Sequence, residues 1–112
     1  MKQIEIKNLR IARIQYPWDI KVDRTSVLGN PYYMAHEGMR DEVCDKYYHY
    51  FYNKIKNNDI EFINELSRLI TIYKDYGSLN LFCWCYPKRC HAEVIKDYIE
   101  SVCNTEGGDD RG

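Results

Sequence analysis

The sequence predicts a small α/β domain of two or three layers, with a short mixed sheet of about three strands and three main helices. Two stretches near the N-terminus alternate apolar with polar residues, and residues 79–85 form a short apolar run, as strands do. Elsewhere apolar residues recur at helical spacing. With 112 residues and 45% hydrophobic content, we expect one core and one domain over residues 1–103. The polar, Gly-rich residues 104–112 predict a flexible tail.

The first third of the chain predicts two strands and a long loop. Ile4 and Ile6 alternate with polar residues in the first strand, and Ile20 and Val22 do so in a shorter second strand. Residues 24–38 carry Gly, Asn and Pro and have no sustained periodicity. Long loops within compact domains are usually functional or disordered, and the aromatic residues of this one argue against disorder.

The remainder predicts two helices, a central strand and a last helix. The first helix is indicated by apolar positions spaced along one face, namely Val43, Cys44, Tyr47, Tyr48, Phe51 and Ile55. Asn58 and Glu61 have the spacing of a capping box for the second helix, which Gly77 should end. The apolar run at 79–85 follows as the central strand, and apolar residues from Val94 to Val102 mark the last helix.

Charge and cysteine content limit the classes of function. With 16 basic and 17 acidic residues the net charge is −1, so the chain has no overall field that attracts nucleic acid or an anionic membrane. The start resembles no secretory signal, and no apolar run is long enough to cross a bilayer, so we expect a cytoplasmic protein. Its five cysteines, in a reducing compartment, are expected to be free thiols or metal ligands.

Three segments together resemble the family called domain of unknown function 4326, small proteins of bacteria and bacteriophages. They contain Arg-x-Ser-x-Leu-Gly-Asn-Pro at residues 24–31, Arg40 followed by Tyr47, and Cys-Trp-Cys-x-Pro-x-x-Cys-His at residues 83–91. The resemblance covers about residues 18–100 and implies a fold and a site, but no established activity. Asp23 departs from the glycine of many members, which implies a narrower or differently charged site.

The segment at residues 79–94 has the highest density of reactive side chains. It ends at a predicted helix start, whose unpaired N–H groups attract anions, and it carries three of the cysteines. Arg24 and Ser26, directly after a strand, supply further donors for a phosphate, although Arg24 could instead pair with a surface carboxylate. We expect both segments to form one cleft. The predicted ligand-binding residues are Arg24, Ser26, Gly29, Asn30, Arg40, Trp84, Lys88, Arg89, Cys90 and His91.

The predicted function is capture of a phosphorylated, nucleotide-derived small molecule, with Trp84 or a loop tyrosine stacking on a base. If the chain is encoded by a phage, it would act in the host cytoplasm and sequester a host immune nucleotide signal. The predicted partner is therefore a nucleotide-like small molecule, with no nucleic acid and no membrane. The tyrosine-rich composition is compatible with a homodimer.

Two other chemistries fit the same segment, and the sequence leaves open whether the protein is an enzyme. Cys90 at a helix start beside Lys88 and Arg89 should have a lowered pKa and act as a nucleophile, with His91 as general acid or base, on a nucleoside or nucleotide. Alternatively, zinc would stabilise an interaction module, although the spacing is unlike Cys-x2-Cys and no cofactor is favoured. Its candidate ligands are Cys83, Cys85, Cys90 and His91. Cysteines such as Cys83 also commonly fill core volume.

Overall fold

The computed structural model describes the backbone of residues 3–111 and the side chains of residues 3–104. It has three strands and three helices, which confirms the predicted α/β class. In chain order these are β1 Gln3–Asn8, β2 Asp19–Lys21, α1 Arg40–Lys56, α2 Ile60–Tyr76, β3 Ser78–Cys83 and α3 Ala92–Arg111. A single 3-10 turn, Glu37–Met39, leads into α1.

The sheet is parallel throughout, so the prediction of a mixed sheet is wrong. Strand β3 is central, as predicted, and it pairs in parallel with β1 on one side and β2 on the other. Leu81 therefore lies opposite both Ile6 and Ile20. The chain leaves β1 through residues 9–18 and returns along the sheet before β2 begins, so β2 starts from the same end as β1. This connection sets the direction of β2. Its sequence has no periodicity from which the path of the chain could be predicted.

The core lies between one face of the sheet and the three helices. Side chains alternate along β3, so Leu79, Leu81 and Cys83 point to this face. The helical residues that pack against them are mostly large and apolar, namely Tyr47, Phe51, Phe62, Leu66, Leu69, Tyr73, Ile95 and Ile99. Asn80 and Phe82 point to the other face, where they border a groove together with residues of the 11–18 segment. The domain therefore has two layers.

Both ends of α2 are fixed by local interactions. Asp59 is its N-cap, and its Oδ1 accepts a hydrogen bond from the Phe62 N–H at 3.1 Å. The predicted capping box at Asn58 is wrong, because Asn58 has φ of 56° and forms the bend between the two helices. Gly77 ends α2 as predicted, with φ of 73° and its N–H bonded to the Tyr73 carbonyl at 2.9 Å.

Helix α3 continues past the predicted domain boundary at residue 103 and ends at Arg111. The side chains of the predicted flexible tail, residues 104–112, lie outside the described part after Asn104, and the flexibility of this tail stays a prediction. Among the helices that the structure describes, none combines the length and the apolar character that a bilayer crossing requires.

Candidate functional site

The two predicted site segments meet at one edge of the sheet. Because β2 and β3 are parallel, their carboxyl ends lie side by side. Strand β2 continues into residues 22–34, here called the arginine loop, and β3 continues into residues 84–91, here called the thiol turn. The Val22 N–H bonds to the Phe82 carbonyl at 2.9 Å, and the Val22 carbonyl lies 2.5 Å from His91 Nε2. The loop and the turn are thus in direct contact.

A cavity of about 300 Å³ lies between the arginine loop, the thiol turn and the first turns of α1. Arg24 and His91 are both among its lining residues. The predicted site residues that line it are Arg24, Asn30, Arg40, Trp84, Arg89, Cys90 and His91. Residues that the sequence did not assign to the ligand site also line it, namely Asp23, Tyr32, Met34, Val43, Cys44 and Cys85.

Three predicted ligand-binding residues do not line the cavity. Ser26 stabilises the arginine loop, because its Oγ accepts from the Leu28 N–H at 3.0 Å. Gly29 permits a close approach, since a Cβ there would lie 2.3 Å from the Asp23 carbonyl oxygen. Lys88 is exposed and pairs with Glu37 at 3.5 Å. The first two therefore shape the loop that carries Arg24, a role the motif spacing could not separate from ligand contact.

Two of the three arginines at the cavity already have carboxylate partners. Arg40 forms a bidentate pair with Glu37 and donates to the Arg89 carbonyl at 2.8 Å. Arg89 pairs with Asp41 at 3.0 Å and Asp45 at 2.8 Å. These contacts fasten the thiol turn to α1. They also neutralise most of the charge that Arg40 and Arg89 would offer to a ligand.

Arg24 is the third arginine, and its surroundings differ. Its guanidinium donates to the Tyr32 carbonyl at 2.9 Å and lies 5.9 Å from the ring centroid of Tyr33. Within residues 3–104, no carboxylate forms an ion pair with it. The alternative that Arg24 only pairs with a surface carboxylate is therefore not found in this part of the chain. Arg24 is the cation best placed to bind an anion in the cleft.

Trp84 forms an aromatic wall that Asp23 holds in place. The indole Nε1–H donates to Asp23 Oδ2 at 3.0 Å, while Thr25 donates to Oδ1 through its N–H and its hydroxyl. Burial alone would raise the pKa of Asp23, but the hydrogen bonds from Thr25 and Trp84 lower it below its usual value. Trp84 remains 51% exposed, so its indole ring is accessible for stacking.

The thiols of Cys83, Cys85 and Cys90, here called the thiol cluster, lie near one another beside this wall. Cys90 is close enough to Cys83 and Cys85, and Arg40 is close enough to Cys85, to shift the pKa of these thiols. Hydrogen bonds from Cys90 and Arg40 lower the pKa of half-buried Cys85 to about 5. The pKa of Cys90 is raised, because the two neighbouring thiols favour its protonated form and the thiol is buried. The predicted lowering at Cys90 is therefore wrong, and the lowered pKa belongs to Cys85 instead.

His91 is buried, and its hydrogen bonds define its tautomer. A carbonyl oxygen only accepts, so Nε2 carries the proton that is donated to the Val22 carbonyl. Nδ1 then presents its lone pair to the Cys90 sulfur, 3.6 Å away. Burial lowers the pKa of His91, so the ring is neutral near pH 7. The Tyr47 ring packs edge-on against it at 5.0 Å.

The start of α3 does not present the free N–H groups that the sequence predicted. The Ala92 N–H contacts the Cys90 sulfur at 3.5 Å, the Glu93 N–H bonds to the Cys90 carbonyl at 3.1 Å, and the Val94 N–H bonds to the His91 carbonyl at 3.0 Å. Cys90 thus caps the helix with both its sulfur and its carbonyl. An anion in this cleft would therefore be contacted by side chains and not by the first turn of α3.

The zinc alternative gains no support from the geometry. No group of three or more His, Cys, Asp or Glu side chains within the described residues is arranged to hold a metal ion. His91 explains part of this result, because its Nε2 is occupied by the Val22 carbonyl and its Nδ1 faces Cys90. The four candidate ligands therefore do not converge on one point.

The unassigned cavity residues differ in the signals that the sequence offered. Val43 and Cys44 belong to the apolar stripe of α1, and only the position of the helix reveals that this stripe continues into the cleft. Tyr32 and Met34 stand in a loop whose apolar content already indicated order. Cys85 belongs to the cysteine motif and was named as a candidate metal ligand.

The fold and the site define a small parallel α/β domain with a thiol-containing cleft at the carboxyl edge of its sheet. The chain belongs to the family described as domain of unknown function (DUF4326), whose model matches residues 4–101. No curated protein and no solved structure is similar enough to the chain to match it.

Proposed function

We propose that the protein captures a phosphorylated, nucleotide-derived small molecule in the cleft between the arginine loop and the thiol turn. The observation that carries this proposal is that Arg24, with no carboxylate partner among the described side chains, and the half-exposed ring of Trp84 line one cavity. A guanidinium binds a phosphate through parallel N–H donors, and an indole ring stacks on a base. The cavity therefore offers both contacts that a nucleotide needs.

The size and polarity of the cavity restrict the ligand. A volume of about 300 Å³ is at the lower end of the range for small-molecule sites. Because Arg40 and Arg89 are neutralised by α1 and its preceding turn, one phosphate is the charge that the cleft can best compensate. We therefore expect one nucleotide unit inside the cleft, with any further unit of the ligand in solvent.

A particular form of this function follows from the occurrence of the family in bacteriophages. A phage protein that binds a host immune nucleotide signal in the host cytoplasm would lower its free concentration without altering it. Capture of this kind requires a high affinity and a cleft, but no catalytic step. The assignment to a phage and to defence rests on the family resemblance, and the cleft supports only the nucleotide class.

Replacing Arg24 should weaken ligand binding. Calorimetry against ADP-ribose, cyclic dinucleotides and related phosphorylated compounds should identify a ligand, and Arg24→Gln should bind it at least about tenfold more weakly, because one charge-assisted contact is lost. Arg68→Gln is the matched control, since Arg68 is an exposed arginine on α2 that pairs with Glu65 at 2.7 Å and does not line the cavity. No binding across the panel would overturn the proposal.

A second candidate is a thiol-dependent enzyme that acts on the same nucleotide class. The observation that favours it is the lowered pKa of Cys85 within the cavity. Chromatography of a nucleotide incubated with the protein separates the two candidates. Cys85→Ser should abolish turnover under this candidate, whereas capture should survive the same substitution.

A further inference from the structure

The three clustered thiols are arranged for a reaction that ligand capture does not require. All three are free thiols. Cys85 and Cys90 both line the cavity, where Cys85 is partly exposed and Cys90 is 3% exposed, while Cys83 is 1% exposed and does not line it. Cys90 is also close enough to Cys85 to shift its pKa. One accessible sulfur near one buried sulfur in the same cavity is the arrangement that thiol–disulfide exchange needs, because the second sulfur can resolve a mixed disulfide.

We propose that Cys85 and Cys90 form a dithiol that reduces small anionic disulfides entering the cleft, with Cys85 as the attacking thiol and Cys90 as the resolving thiol. No nucleotide takes part in this reaction, so it does not depend on the proposed ligand capture. The chemical class of the substrate follows from the cleft, where Arg24 attracts an anion and Trp84 contacts an apolar or aromatic portion.

Cys85 has the features of the attacking sulfur. It shares the cavity wall with the Arg40 guanidinium, whose positive charge favours the thiolate. Arg40 is itself held by the bidentate pair with Glu37, so its position is fixed before a substrate arrives. In the first step the Cys85 thiolate attacks one sulfur of the disulfide. A new S–S bond forms, the S–S bond of the substrate breaks, and its other half leaves as a thiolate that takes a proton from solvent.

Cys90 and His91 have the features required for the second step. Nδ1 of neutral His91 lies 3.6 Å from the Cys90 sulfur and accepts its proton, while the Nε2–H bond to Val22 orients the ring. The Cys90 thiolate then attacks the Cys85 sulfur. The Cys85–Cys90 bond forms, and the second half of the substrate leaves as a thiolate and takes up the proton from His91. The substrate gains two electrons from the two cysteines and two protons, one from solvent and one from Cys90 through His91, and a low-molecular-weight thiol as co-reactant restores the reduced cysteines.

The experiment uses the full chain and the anionic aromatic disulfide 5,5′-dithiobis(2-nitrobenzoate), whose released thiolate is measured optically. The assay is best run at about pH 5.5. A sulfur with a pKa of about 5 is then largely ionised, while an ordinary thiol with a pKa of 9.0 is not. Allowing for the lower nucleophilicity of the more acidic thiolate, Cys85 should still react more than about tenfold faster than an ordinary cysteine.

The variants give distinct results. Wild type should release two equivalents of the probe thiolate in its fast phase and form a disulfide that peptide mass spectrometry maps to Cys85 and Cys90. Cys90→Ala should release one equivalent and retain the probe as a mixed disulfide, in a phase shifted to higher pH because Cys90 also lowers the pKa of Cys85. Cys85→Ser should lose the fast phase. Arg40→Gln keeps every sulfur, and its fast phase should shift to higher pH. Cys103→Ser, at a partly buried thiol away from the cavity, should behave as wild type.

Three outcomes would overturn the proposal. A fast phase that persists in Cys85→Ser would exclude Cys85 as the attacking thiol. A fast phase of one equivalent in wild type would exclude a resolving thiol. A disulfide that joins Cys85 to Cys83 would exclude Cys90 from that role. Oxidised glutathione, a second anionic disulfide, should give the same Cys85–Cys90 bond, and its failure to do so would overturn the assigned substrate class.

Discussion

His91 is the residue at which the two walls of the cleft meet. Its Nε2–H is donated to the end of β2, its Nδ1 faces Cys90, and its ring packs against Tyr47 of α1. Only 8% of the residue is exposed. A protonated ring would be a buried positive charge whose hydrogen-bond partners are the Val22 carbonyl and the weakly polar Cys90 thiol. Burying a charge in such surroundings is unfavourable. The neutral form is therefore part of the folded structure.

This burial makes stability depend on pH. Below 6.5, the usual pKa of histidine, the unfolded chain binds a proton at residue 91, whereas the folded chain, with its lowered pKa, resists protonation. The free energy of unfolding should therefore decrease as the pH falls through 6.5 toward the folded pKa. His91→Gln keeps a donor for Val22 and does not titrate, so it should flatten this dependence in urea denaturation between about pH 7 and about pH 5. His36→Gln, at an exposed histidine, is the matched control, and equal pH slopes for the two variants would contradict the prediction.

Cys85 and Cys90 show what the sequence reveals about single residues and what it does not. The motif identified the segment, because three cysteines and a histidine within nine positions are rarely accidental. Which sulfur ionises depends on the neighbours that the fold supplies. Cys85 lies near Arg40, forty-odd positions earlier in the chain, whereas Cys90 is buried and keeps its proton. The charged neighbours Lys88 and Arg89, which suggested Cys90, instead pair with carboxylates.

At the scale of elements, the link between α2 and β3 determines how the core is closed. Gly77 is the single residue between them, and its φ of 73° turns the chain from the helix into the central strand. The sequence predicted both elements and this glycine, since helical periodicity and the glycine stop signal are local properties. The cap at the other end was assigned to Asn58 instead of Asp59, because both types cap helices and only the backbone angles distinguish them.

Replacing Gly77 should destabilise this junction. Gly77→Ala should lower the free energy of unfolding by about 1 kcal/mol or more, because a Cβ is unfavourable in the left-handed conformation. Gly77→Asn should lose less, since asparagine tolerates this conformation better than alanine. Gly38→Ala is the control, at an exposed glycine where a Cβ would meet only the His36 side chain. Urea denaturation measures all three, and equal losses at positions 38 and 77 would contradict the prediction.

At the scale of the whole molecule, the sheet aligns the two site segments. Periodicity predicted the number of strands, their order along the chain and the central position of β3. It did not predict that all three run in one direction, because that depends on the course of residues 9–18. The parallel arrangement brings the ends of β2 and β3 to one edge, so Arg24 and His91 share a cavity. A homodimer, which the tyrosine content suggested, stays a prediction.

Leu81 is the residue through which this sheet can be tested. It is fully buried and lies opposite Ile6 on one side and Ile20 on the other. Leu81→Ala should lower the free energy of unfolding by about 3 kcal/mol, because it removes buried apolar surface and leaves a cavity at the centre of the core. Ile11→Ala, at a residue that is 85% exposed, should change it by less than about 0.5 kcal/mol. Urea denaturation measures both, and similar midpoints for the two variants would contradict this placement of Leu81.

The arginine loop precedes α1 and α2, and the thiol turn follows them. No continuous peptide therefore contains the whole cleft, and a gene fragment that encodes either half would produce an inert product. Two co-expressed halves would complement each other only after their helical layer had reassembled. New ligand specificities in such a protein would arise from point substitutions within the intact domain. Recombination of contiguous gene segments would separate the two walls of the cleft.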